Sequence, residues 1–127
     1  MKAFKRILVS LSICLAFVFM LASCSKVSKS YADEINQGFQ NKNCITLQEA
    51  KDYLGEECID LTTNGMGMIV AIKGLTNQNY LEEITKAKDD AKFDFIAITV
   101  VQNQCQSANY VENATVGEVK AHTSRSI

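Results

Sequence analysis

Apolar residues recur along this chain with several spacings, and each predicts a different kind of element. Over residues 7–20 they run almost unbroken, as ILVSLSICLAFVFM. Past residue 30 the spacing turns helical: Tyr31, Ile35 and Phe39 fall four apart, which puts one apolar face on a helix over residues 31–41, with Gly38 as its weak point. Leu47, Ala50 and Leu54 give a second helical face over residues 47–54. Its ends are marked by a Thr46-x-x-Glu49 capping box, by Ile45 placed to staple against Ala50, and by Gly55 as a left-handed stop.

Two-residue alternation and continuous apolar runs come next. Residues 58–62 read as a strand, Thr63-Asn64-Gly65 carries the Asn-Gly pair that favours a tight hairpin, and residues 68–72 (MIVAI) read as a buried strand ended by Gly74. A third helix is expected after Asn79 as cap, with Tyr80, Ile84, Ala87 and Ala91 on one face and the Glu82 and Lys86 pair on the wet side. FDFIAITVV, residues 93–101, is apolar on both faces except for Asp94 and Thr99, the mark of a central strand. Gln102-Asn103-Gln104 turns it, residues 105–111 form its partner, and residues 115–121 read as a last short strand. The expectation is an α+β domain with an antiparallel or mixed sheet of four to five strands and two to three helices packed on one face.

The first apolar run changes where such a domain would work. It has 14 residues, follows Lys2, Lys5 and Arg6, and ends in Leu21-Ala22-Ser23-Cys24. A membrane span needs about 20 apolar residues, whereas the core of a secretory signal needs roughly 7 to 15. Leu21-Ala22-Ser23-Cys24 resembles the lipobox of bacterial lipoproteins. That resemblance implies cleavage after Ser23, acyl chains on Cys24, and a chain held in the cell envelope, on the outer face of the cytoplasmic membrane or in the outer membrane. Two or more acyl chains anchor stably where one does not. Ser25 and Lys26 follow, with no Asp after the Cys, which is compatible with outer-membrane sorting in a Gram-negative cell. The division expected is therefore a signal peptide over residues 1–23, a lipidated polar tether over 24–30, and one small domain over 31–127.

Of 127 residues, 104 then remain, room for one modest core. Losing Lys2, Lys5 and Arg6 takes the formal charge from −1 to −4, which argues against a nucleic-acid ligand. Lys26 and Lys29 would lie beside the anchor, towards lipid headgroups. Cys14 belongs to the leader and Cys24 to the lipid, so Cys44, Cys58 and Cys105 are the candidates for one disulfide with a thiol left over, or for three small apolar residues. No closely paired Cys or His ligands occur, so no metal site is expected.

Catalytic chemistry finds few residues to work with. The only His, His122, is the sixth residue from the C-terminus, in a Ser-, Thr- and Arg-rich tail, so an exposed tail residue is expected ahead of a Cys105 and His122 dyad. Glu56-Glu57 and Asp89-Asp90 are adjacent in sequence and point different ways. No cofactor is expected and no enzymatic activity is assigned. Thr46, Ala50, Leu54 and Gly55 resemble the helix that precedes the sheet in small envelope lipoprotein and secreted inhibitor modules. Gly65 and Gly67, the strand with Ile96, Ile98 and Val100, and Ala114-Thr115-Val116-Gly117 are similar in order to extracytoplasmic FMN-binding domains. They lack that family's turn Pro and acidic residue and its flavin-attachment motif, so the glycines read as turn residues. Three roles follow, in order: a tethered module that binds a protein partner or small ligand, with Met66 and Met68 as one surface to inspect; a structural or accessory envelope lipoprotein; and a flavin- or thiol-based redox carrier.

Overall fold

The computed structural model describes residues 25–123. The leader, the cleavage residues Leu21, Ala22 and Ser23, and the lipidation residue Cys24 lie outside them. Four strands form one antiparallel meander in chain order: β1 (Cys58–Asp60), β2 (Gly67–Ile72), β3 (Phe93–Val101) and β4 (Gln104–Ala114). The helices are α1 (Lys29–Gln40), α2 (Leu47–Leu54), α3 (Tyr80–Lys86) and α4 (Val116–Thr123), with a 3-10 turn at Gly55–Glu57. The α+β class with a small sheet holds.

The distribution of the helices differs from the expectation of a single covered face. Because neighbouring strand residues point to opposite sides, β2 and β3 divide their apolar side chains between two cores. Ile69, Ala71, Ile96, Ile98 and Val100 pack with Tyr31, Ala32 and Ile35 of α1 and Ala50 and Leu54 of α2. Val70, Ile72, Phe95 and Ala97 pack on the other side with Ile84 of α3 and Val119 of α4. A strand apolar on both faces needs cover on both, and the sheet is a middle layer. Phe95 is fully buried, which contributes about 2–3 kcal/mol.

Local rules explain most boundaries. Thr46 Oγ1 accepts from Glu49 N–H at 3.1 Å while Glu49 Oε1 accepts from Thr46 N–H at 3.1 Å, the reciprocal box foreseen for α2. The expected last strand over 115–121 is instead α4, because Thr115 and Glu118 make a second such box, at 3.1 Å in each direction. Helix α3 stops at Lys86, short of the expected Ala91: Ala87 turns extended, and Ala91 N–H closes a separate turn onto Lys88 O around Asp89 and Asp90. Asn79 does not cap α3 with its own side chain; its Oδ1 instead accepts from Thr76 N–H at 2.8 Å. Gly38 has a packing reason, since a β-carbon there would lie 2.9 Å from Asn43 O.

Two contacts tie the ends of the chain path to the sheet. Asn36 on α1 grips the outer strand, its amide donating to Ala108 O at 3.0 Å and its carbonyl accepting from Ala108 N–H at 2.9 Å. At the start of the described chain, the residues expected as a polar tether take up structure: Val27 is 3% exposed, Ser28 caps α1, and Lys29 and Ser30 belong to that helix, while Lys26, Lys29 and Ser30 keep their side chains exposed.

Candidate functional site

Both hairpin turns and the entry to α2 meet at one end of the sheet. The first hairpin turns at Asn64 and Gly65, with φ of 54° and 76°, and Thr63 and Met66 pair across it. The second turns at Gln102 and Asn103, with φ of 52° and 63°. The two tips are joined by Asn103 N–H donating to Gly65 O at 2.9 Å. Leu47 N–H donates to Asn103 O and Cys105 N–H to Ile45 O, each at 2.8 Å, which fixes the start of α2 against the second tip.

Between them lies an open groove of about 250 Å³ lined by Thr46, Leu47, Gln48, Gln102, Asn103 and Gln104. Four of the six carry carboxamides, each able to donate and to accept, and none is ionisable. Such a lining sets carboxamides around a surface that is more apolar than polar, suits an uncharged partner and supplies no ionisable group. Met66 stands at the same end, 53% exposed, while Met68 is half-buried against the second core. The other large exposed apolar residues, Phe39, Tyr53 and Leu81, sit on three separate helices.

Left-handed backbone makes the second tip unusual. Asn-Gly is the inexpensive pair for a two-residue turn of this hand, whereas Gln and Asn both carry a β-carbon that the left-handed region crowds. Asn enters this region more readily than other such residues, as Asn64 and Asn113 also do, so Gln102 is the costlier of the two. Sequence reading finds the Gln102-Asn103 turn, but its sharp left-handed form and its contact with residues 45–47 need the fold.

The candidates for chemistry are brought to different places. Cys105 belongs to the core under α1 and α2, while His122 lies on α4 with its ring 4.8 Å from that of Phe95, in the other core. The sheet stands between them, so the Cys105 and His122 dyad is not formed. Its Nδ1 lies 2.9 Å from Glu118 O within its own helix. Cys44, Cys58 and Cys105 are free thiols, the first half-buried and the others buried. Burial, reinforced by Asp60, pushes Cys58 up to about 11, and burial, reinforced by Cys44 and Glu49, pushes Cys105 up to about 11. A thiolate nucleophile needs the opposite shift.

Gly65 lies just before β2 and Gly67 starts it, level with Cys105 on β4, whereas Ala114 ends β4 at the far side and Thr115 follows it. Nine residues of extended strand separate those levels, roughly 30 Å, so the flavin-like residues do not converge. Among the described residues no group of His, Cys, Asp and Glu is placed to hold a metal ion, and no helix is long and apolar enough to cross a membrane. Compared with protein-family models, curated proteins and solved structures, the chain has no significant match in any of the three.

Proposed function

We propose that this chain is a membrane-anchored extracytoplasmic lipoprotein that works as a non-catalytic binding or protein-interaction module, and that the amide-lined groove at the hairpin end receives its partner. The observation that carries the site is the Gln102-Asn103 turn. Two non-glycine residues are kept in the left-handed region, both line the groove, and bonds from Leu47 and to Gly65 hold the backbone of Asn103 in place. The anchoring rests on the short apolar run and on Leu21-Ala22-Ser23-Cys24. Four carboxamides around one groove suit main-chain and side-chain polar groups of a protein partner, which they can meet as donors or acceptors.

The test joins anchoring and site. Intact mass spectrometry of the full chain extracted from its native membrane is expected to give a mass that starts at Cys24 and carries acyl chains. A mass retaining residues 1–23 without acylation overturns the anchor. A photo-crosslinking residue at Gln48, with one at Leu81 as control, is then expected to join a single product at Gln48 alone. Equal labelling from both positions overturns the groove.

A further inference from the structure

Glu57 stands at the end of the 3-10 turn that leads into β1, and two separate stretches of chain, Ser25-Lys26 and Gly74, converge on its carboxylate. Ser25 Oγ donates to it, 2.8 Å from Oε1 and 2.7 Å from Oε2. Lys26 N–H donates to Oε1 at 3.2 Å, and Gly74 N–H donates to Oε2 at 3.0 Å. Ser25 Oγ in turn accepts from Val27 N–H at 3.1 Å, and Val27 is buried in the core. An ionised acceptor makes each of these bonds stronger than a neutral one. Residue 25, the first described residue and the one that follows Cys24 in sequence, is thus fixed to the body of the domain.

We propose that Glu57 is the seat of the lipidated N-terminus, and that the surface around it, made by Lys26, Tyr53 and Lys73, stands directly on anionic phospholipid headgroups. This rests on the lipoprotein reading. With Ser25 seated there is no slack between the acylated residue and the domain, so the face beside Ser25 meets the bilayer surface. That face has suitable chemistry. Lys26 Nζ lies 5.2 Å from the centroid of the Tyr53 ring, which is itself stacked at 4.1 Å on Tyr31. Tyr53 is 43% exposed, an amphipathic ring of the kind found at headgroup depth, and Lys73, next to Gly74, is exposed. Cations near the surface of an anionic leaflet are attracted to it.

Geometry then sets where the groove stands. Glu57 precedes β1 and Gly74 follows the end of β2, so the seat lies at the sheet end opposite the hairpin tips. The length of β4, 11 residues, spans roughly 35 Å. A domain seated this way holds the amide-lined groove away from the bilayer and towards whatever lies beyond it.

The experiment uses the full chain from its native membrane, reconstituted in phosphatidylcholine vesicles doped with phosphatidylglycerol and a gadolinium-chelating headgroup lipid. The expected result is loss of the Lys73 and Gly74 amide signals while the Met66 methyl stays sharp, with the bias removed by Glu57→Gln and weakened by Lys26→Gln together with Lys73→Gln. Uniform broadening of all three signals in the acylated, unaltered chain overturns the seat while leaving the anchor standing. An unacylated mass fails at the earlier step and overturns both. Hydrogen exchange reads the seat independently of lipid: Glu57→Gln is expected to speed exchange at Gly74 and Lys26 about tenfold and leave Val70 unchanged. Unchanged exchange at Gly74 overturns the proposal.

Discussion

The two hairpins of this sheet solve one geometric problem with different residues. Both reverse the chain through two left-handed positions at the same end of the sheet, and each tip holds the other through Asn103 N–H and Gly65 O. The first uses Asn64 and Gly65, the pair that adopts this backbone with least strain. The second uses Gln102 and Asn103, one more left-handed non-glycine residue than the first, which gives up stability of the order of 1–2 kcal/mol in all. The first turn is explained by folding alone. The second is explained better by the groove its side chains line.

The largest effect is expected from damaging the tip that both hairpins share. Gly65→Ala places a methyl against Asn103 Oδ1 at a φ of 76°, and should destabilise the domain by about 2 kcal/mol. Urea unfolding checks this through a lower midpoint at constant slope; a loss below about 0.5 kcal/mol would mean the two tips are uncoupled. The converse change sharpens the contrast. Gln102→Gly relieves one left-handed side chain and should stabilise by about 0.5–1 kcal/mol after the greater unfolded-state entropy of glycine is set against it. The thermal midpoint should rise by several degrees while capture at Gln48 weakens. A fall in the midpoint would show that Gln102 is held by contacts and is not strained.

Acid separates the hairpins more gently. Asp60, at the end of β1, accepts from Thr62 N–H at 2.9 Å and from Thr62 Oγ1, and pairs with Lys51 at 3.0 Å. Burial pushes its carboxyl up, but the Thr62 and Lys51 bonds outweigh that and leave it below its ordinary 3.8. A lowered folded-state value means the stabilisation is complete above about pH 4 and is lost as pH falls through the lower value in the folded chain. The pair is partly exposed, so the loss should stay below about 1 kcal/mol. Amide exchange between pH 5 and pH 3 should rise at Thr62 and not at Asn103. The smallest effect is at the thiols that flank the hairpins. Maleimide mapped by mass spectrometry at neutral pH should label Cys44 first and leave Cys58 and Cys105 unmodified, since both are buried and burial pushes their thiols up to about 11; rapid labelling of Cys105 would contradict its burial.

How far the sequence could be read follows the range of each interaction. Helix α2 was legible from Thr46 to Gly55 because its cap, staple and stop all lie within a few residues. β3 was legible to the residue because nine positions carry one uninterrupted signal. The same kind of signal existed for α4 in Thr115 and Glu118, but Val116 and Gly117 between them read as strand and turn, and packing of Val119 and His122 on the second core decides for helix. The two-sided core was written into β3, whose apolar residues face both ways, yet which helix covers which face depends on contacts far apart in sequence. The seat at Glu57 was illegible for that reason: Ser25 and Glu57 are 32 residues apart, and nothing local distinguishes Glu57 from Glu56. The groove was half legible, as a polar turn without its partner at Thr46.

Asn36 has a consequence for the company this domain keeps. Its carboxamide offers Ala108 one donor and one acceptor, the same pair that a neighbouring peptide would present. In effect the helix supplies a counterfeit fifth strand one residue long. A real strand approaching the outer edge of β4 meets that plug at Ala108, and the exposed charge of Glu112 further along, before it can find register. Open sheet edges that present free main-chain groups are the places where chains join strand to strand. A single side chain on α1 thus works as a guard against self-association, and lets β4 be long at the edge without being adhesive.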